Sequence, residues 1–184
     1  MSTKSRIAEL WLVATTALGL AGAACAQAGA APGAGLTAFA GTWRMNFELS
    51  RMERFGGPGA AANIKRAPTF TWIFTPKNYG LQMDVYAQYP QPQPTRTMTV
   101  IADGKPHPCG DKKPCLTTGG DPTKQTYTYW RMDDHMLARL FYESGKVVEY
   151  SSYAVSADGK RLTIESWSPE SPEYHNHQVF DRIS

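Results

Sequence analysis

From Gly41 onward, apolar residues recur at every second position. TFTWIF alternates Thr with Phe70, Trp72 and Phe74, and LQMDVYAQ puts Leu81, Met83, Val85 and Ala87 on one face. TRTMTVIA, KQTYTYWRM, HMLARLFYE, VVEYSSYAVS, RLTIESWS and YHNHQVFDRI continue the series that GTWRMN begins. A period of two marks strands, because successive side chains leave a strand on opposite faces. Turn signals separate the runs: PKNYG, two ADGK segments, Asp133-Asp134 and SGK. Glycine supplies the left-handed backbone such turns need, and Asp bonds its own backbone two residues on. Helical periodicity is nearly absent. One short helix is expected around Leu49 to Arg54, before the glycines of GGPGAAAN stop it. YPQPQP and the Pro169 and Pro172 segment read as loops, since proline lacks the ladder donor.

These runs predict an all-β domain of about eight to ten strands. Hairpin-length links between consecutive strands make an antiparallel up-and-down meander. Such a meander closes into a barrel or stacks as a β-sandwich. The barrel is favoured, because closure removes the exposed edges. Several strands are also apolar or aromatic on both faces, as with Tyr127 and Tyr129 against Thr128 and Trp130.

The start of the chain follows another rule. Lys4 and Arg6 precede the uncharged run LWLVATTALGLAGAA, Leu10 to Ala24, and ACA before Gln27. A basic start, a short apolar run and a small-x-small site form an export signal, expected to span residues 1–26. The run is shorter than the roughly 20 residues a spanning helix needs, so an integral membrane anchor is not expected. A second route is lipidation at Cys25, which follows Gly22-Ala23-Ala24. Residues 27–40, QAGAAPGAGLTAFA, read as a flexible Gly/Ala-rich leader, and residues 41–184 as the domain. The expected location is periplasmic or secreted, with a lipoprotein anchored through Cys25 as the alternative.

Charge and cysteines narrow the partners. Removing residues 1–26 takes away Lys4, Arg6 and Glu9 and leaves 17 basic against 15 acidic residues. Without a basic cluster, a nucleic-acid partner is not expected. Cys109 and Cys115 remain, and an even count in an oxidising compartment fits a disulfide between them. Their Cys-x5-Cys spacing matches no common zinc pattern. Oligomeric state is not set by any of these features.

Four segments carry a resemblance: GTWRMNFELSRM at Gly41, DGKPHP at Asp103, RMDDHMLARLFYESGKVV at Arg131 and VSADGKRLTIES at Val155. In this order and spacing the chain resembles a family of exported bacterial lipocalin-like proteins whose functions are mostly unknown. The resemblance covers most of residues 41–166. It implies a calycin-type β-barrel, with Trp43 of Gly41-Thr42-Trp43 plugging the narrow end. It implies no reaction. The cysteine loop and GGPGAAAN depart from the family pattern.

Catalytic signatures are missing. There is no Gly-x-Ser-x-Gly elbow, phosphate loop or HExxH, so neither an enzyme nor a cofactor is expected. Asp133, Asp134, Asp103 and Asp158 read as turn residues. His175 and His177 share a strand face and are weak metal candidates, with His107 or His135 as a third ligand. The strand aromatics offer more. Trp72, Tyr86, Tyr129, Trp130, Phe141 and Tyr150 are the candidate lining of a barrel interior that holds a small apolar or amphipathic ligand. Such an interior stays open if small residues point inward (Thr71, Thr97, Thr99, Thr126, Thr128, Ser152 and Ala154) and fills if the aromatics do. The expected function is a non-catalytic binding module of the cell envelope. The alternatives are an envelope interaction protein with a solid-packed barrel, or a barrel isomerase or hydrolase. Produced in a host with an export pathway, the mature chain is expected to begin at Gln27. N-terminal sequencing checks this: an intact Met1 refutes export, and a lipidated Cys25 supports the second route.

Overall fold

A computed structural model describes residues 35–52, 69–109 and 121–184, apart from the side chain of Tyr174. The export segment, most of the leader, residues 53–68 and Cys115 lie outside the described residues. So does the Cys109–Cys115 pairing.

Among the described residues eleven strands follow one another: β1 (Gly41–Met45), β2 (Arg51–Met52), β3 (Thr71–Lys77), β4 (Gly80–Tyr86), β5 (Arg96–Val100), β6 (His107–Pro108), β7 (Gln125–Arg131), β8 (Met136–Glu143), β9 (Lys146–Val155), β10 (Arg161–Ser168) and β11 (Ser171–Arg182). All eleven form one antiparallel sheet, ten of them in the order β5-β4-β3-β1-β11-β10-β9-β8-β7-β6, with β2 paired to β11 off that path. This is the expected meander, curled into an open barrel, and not two stacked sheets. The first strand meets the last: Trp43 faces Arg182 and Met45 faces Phe180. The barrel has one seam. β5 does not pair with β6, although Met98 and Val100 share the buried core with Tyr127 and Tyr129. The chain itself crosses this seam. Asp103 bridges to Trp130, Gly104 N–H donates to the Tyr129 carbonyl at 3.0 Å, and His107 pairs with Tyr127.

Three expectations about elements and boundaries are corrected. Arg51 and Met52 form a short strand against His177 and Asn176, not part of a helix, because β11 has an open ladder edge there. The fold also begins before Gly41. Leu36 and Phe39 are buried, and a 3-10 turn over Thr37–Phe39 carries them into the core. These two side chains are too few to make a periodicity among alanines and glycines. The Pro169 and Pro172 segment is a tight hairpin and not a loop: Ser168 pairs with Ser171, and Pro172 already lies in β11. The ADGK turns are as read: Lys105 N–H donates to Asp103 and Lys160 N–H to Asp158, both at 3.0 Å, and Gly159 has φ 69°. Among the described residues no helix is long and apolar enough to cross a membrane.

One end of the barrel is plugged. Trp43 is fully buried and its indole N–H donates to the Phe39 carbonyl at 2.7 Å. The Arg182 guanidinium lies 4.0 Å from the centre of the Trp43 ring, donates to the Gly159 and Ala38 carbonyls at 2.5 Å, and also donates to Ala40. One side chain thus ties the N-terminal turn, the β9–β10 turn and the last strand together. Arg182→Ala is expected to lower stability by roughly 2–4 kcal/mol, from three lost charged hydrogen bonds and a lost cation–π contact. Arg182→Lys should recover only part of this, because an ammonium cannot reproduce the guanidinium fork. Urea denaturation of both variants checks the order.

Candidate functional site

At the opposite end from Trp43 the core does not fill. A cavity of about 310 Å³ lies between the strands. Its apolar wall is Met45, Met52, Met83 and Met98 with Phe70, Trp72, Val85 and Ile164. Methionine is unbranched and polarisable, so such a wall adapts to irregular shapes. Ala87, Thr95 and Arg96, at the ends of β4 and β5, form its rim, where Thr95 is exposed. Met52 and Phe70 flank the undescribed residues 53–68 and line the same space.

The polar side of the cavity is built by one hairpin. Leu137, Arg139 and Phe141 alternate on the inner face of β8. Glu149, Ser151 and Tyr153 do so on β9. The register sets Arg139 opposite Ser151, so Glu149 and Tyr153 are its diagonal neighbours. A bulge between Phe141 and Tyr142 sets this alignment. Arg139 is 9 % exposed and Glu149 2 %, and their side chains are in direct contact. Arg139 Nη2 donates to Ser151 Oγ, and Ser151 Oγ to Glu149 Oε1, each at 2.9 Å. The guanidinium also lies 5.6 Å from the Tyr153 ring centre and 5.9 Å from that of Tyr129. Burial disfavours its charge, but Tyr153, Tyr129 and Glu149 more than offset this and hold it protonated. Burial likewise raises the Tyr153 hydroxyl well above its usual range, so it stays neutral. Of the residues that line the cavity, Arg139 and Trp72 each hold a buried donor, Nε and Nε1, with no acceptor among the described residues.

The six aromatic candidates separate. Trp72 lines the cavity, packed against Phe180 at 4.8 Å between ring centres. Tyr129 is buried one layer behind, its hydroxyl 3.5 Å from that of Tyr153. Phe141 is fully buried in the core and does not reach the cavity. Tyr86, Trp130 and Tyr150 are on the outer face, because their strand neighbours of opposite parity point inward. Trp130 is 36 % exposed, Tyr86 packs edge-on against Tyr89, and Tyr150 stacks on Trp167. The small residues do not line the cavity. Thr71, Thr97, Thr99, Thr126, Thr128, Ser152 and Ala154 all stand on the face opposite the lining. Space is left instead by Ser151 and Ser166 and by the shapes of the methionines.

The histidines have separate partners. His175 stacks on Trp167, His177 bonds Glu165 at 2.5 Å, and His107 bonds Asp103 at 2.8 Å. His135 lies in the β7–β8 turn, where its N–H donates to Asp133. Among the described residues, no three His, Cys, Asp or Glu side chains come together around a possible ion.

Arg139, Glu149, Ser151 and Tyr153 were not among the sequence candidates as a cluster, yet a signal was present. Arg139 and Glu149 carry opposite charges on the apolar side of two strands joined by Ser144-Gly145. A hairpin folded there brings them together.

No protein-family model matches the chain, and no curated protein matches it in sequence. Among solved structures it is similar to a Schistosoma mansoni fatty acid binding protein in complex with arachidonic acid. The TM-score is 0.53 at 14% identity, covering 82% of this chain and 99% of that one. At this identity the likeness establishes the calycin-like fold.

Removing one partner of a buried ion pair leaves an uncompensated charge. Arg139→Met is therefore expected to cost about 3–5 kcal/mol of stability. Adding Glu149→Leu should return most of that loss. A double-mutant cycle by denaturant unfolding measures the difference.

Proposed function

We propose that this protein is a non-catalytic binding module for a small hydrophobic or amphipathic molecule. The observation that carries the reading is the cavity of about 310 Å³, walled mainly by methionine and aromatic side chains, with one polar side. Ligand sites are typically concave, mostly apolar spaces from about 300 Å³ upward with a few fixed polar groups. The fold neighbour supports it, being a protein described in complex with arachidonic acid. The orientation of two tryptophans supports it as well. Trp72 lines a void and Trp130 faces outward, which leaves interior volume that a solid-packed barrel would fill.

The enzyme alternative is weaker on electrostatic grounds. A proton-transfer group is tuned toward neutral pH. Arg139 and Tyr153 move the other way, each deeper into its ordinary protonation state. The export pattern of residues 1–26 favours a site of action in the cell envelope, periplasmic or secreted, or anchored through Cys25. A Cys109–Cys115 disulfide belongs to the same reading.

The neutral probe N-phenyl-1-naphthylamine is expected to bind at a single saturable site with blue-shifted, enhanced fluorescence. Ser166→Phe, which fills the cavity from β10, should weaken binding at least ten-fold while the thermal transition is kept. Ala87→Trp at the rim should do the same, should the β10 variant unfold. Failure of a panel of apolar probes to bind, or binding indifferent to both variants, refutes the reading.

A further inference from the structure

We infer that the ligand meets the polar side of this cavity with an uncharged hydrogen-bond acceptor, such as an ester carbonyl or a hydroxyl, and not with a carboxylate. This rests on the binding reading above and adds the chemical class of the head group. Three observations carry it.

The first is charge. The innermost cation, Arg139, already has its anion: Glu149 touches it, and Ser151 bridges the two. A carboxylate arriving here would lose its water and stand beside a second buried anion. Repulsion between like charges grows as the local dielectric falls, and each buried ion also carries its own desolvation cost. A neutral group incurs neither penalty.

The second is hydrogen bonding. Arg139 and Trp72 line the cavity, and their Nε and Nε1 atoms are buried donors with no acceptor among the described residues. An unmet buried donor costs about 1–3 kcal/mol. An ester carbonyl, ether or alcohol oxygen can meet such a donor without bringing charge. The Tyr153 hydroxyl, on the same lining, can donate or accept.

The third is position. The other cation on the lining, Arg96, lies at the rim beside exposed Thr95, half-buried, on the neighbouring strand to Val85. An anionic head group would seat at that end, leaving the inner polar groups unmet. The two ends are therefore separable by mutation.

The test is a matched series of one chain length: dodecanol, methyl dodecanoate and dodecanoate at pH 8, where the acid is ionised. Affinities are read by displacement of N-phenyl-1-naphthylamine from the wild-type protein. The ester and alcohol are expected to bind at least ten-fold more tightly than the carboxylate. Glu149→Gln, which removes the internal anion, should narrow that ratio at least ten-fold by improving the carboxylate. Where that variant does not fold, the doubly substituted Arg139→Met, Glu149→Leu protein replaces it, and there the ester should lose at least ten-fold in affinity. A carboxylate that binds wild type as tightly as the ester overturns the inference. Loss of that tightness in Arg96→Gln would locate the anion at the rim. An ester preference that neither Glu149→Gln nor the double variant changes also overturns it. If the probe binds but no member of the series displaces it, the head-group inference falls alone. If the probe does not bind, the binding reading itself falls.

Discussion

The contact between Trp43 and Arg182 is the constraint on which the remaining structure depends. A meander of ten strands can stay an open, twisted sheet unless something draws its two chain ends together. Here the first and last strands pair, and Arg182 covers the indole while bonding three carbonyls from two separate segments, the N-terminal turn and the β9–β10 turn. The backbone bonds Thr42 to Ser184 and Ile183 to Thr42, both at 2.8 Å, complete the joint. With that end packed solid around Trp43, Phe39 and Leu36, curvature is imposed on every strand between. The far end is not filled in the same way, and the cavity lies there.

The interior is a compromise between packing and polarity. An apolar replacement of the Arg139–Glu149 pair would often be neutral or more stable, since buried ion pairs rarely recover their full desolvation cost. Retaining such a pair next to a void puts fixed dipoles and donors where a bound molecule would sit. The methionines surrounding it do the opposite: they impose little direction and accept many shapes. Orientation would come from the hairpin of β8 and β9, and tolerance from β1, β4 and β5.

Much of this fold was legible in the residues, and less of the site. Alternation in LQMDVYAQ marks a strand and groups Leu81, Met83, Val85 and Ala87 on one face, RLTIESWS reads as a strand, and Asp103, Asp158 and Asp133 stand in turns as their chemistry requires. Alternation alone does not say which face is inner where both are bulky. By pattern Trp130 and Tyr150 are as eligible as Trp72, and the inward-facing neighbours Tyr129 and Ser151 decide the matter. Leu36 and Phe39 were hidden among alanines, because burial there depends on the Trp43 plug and not on a local period. The Arg139–Glu149 contact depends on register, and a bulge at Phe141 shifts that register in a way no residue pattern announces. The outer ladder of Tyr150, Trp167 and His175, with ring centres 5.7 and 5.8 Å apart, follows from the same strand alignment. It explains why these rings gather outside the barrel.

The seam between β5 and β6 gives the molecule an elastic circumference. Elsewhere around the wall, adjacent strands are held at fixed spacing by backbone ladders, and widening the barrel would break them. At the seam no ladder joins β5 to β6 among the described residues: the chain crosses it through Asp103 and Gly104, and Met98 and Val100 share the buried core with Tyr127 and Tyr129. Sliding those contacts costs dispersion energy and no ladder bond. The two free edges are short, five residues in β5 and two in β6, so they offer little template for another chain to pair with. Small changes in girth can therefore be absorbed along one line of the wall, while the ladders on either side keep their geometry.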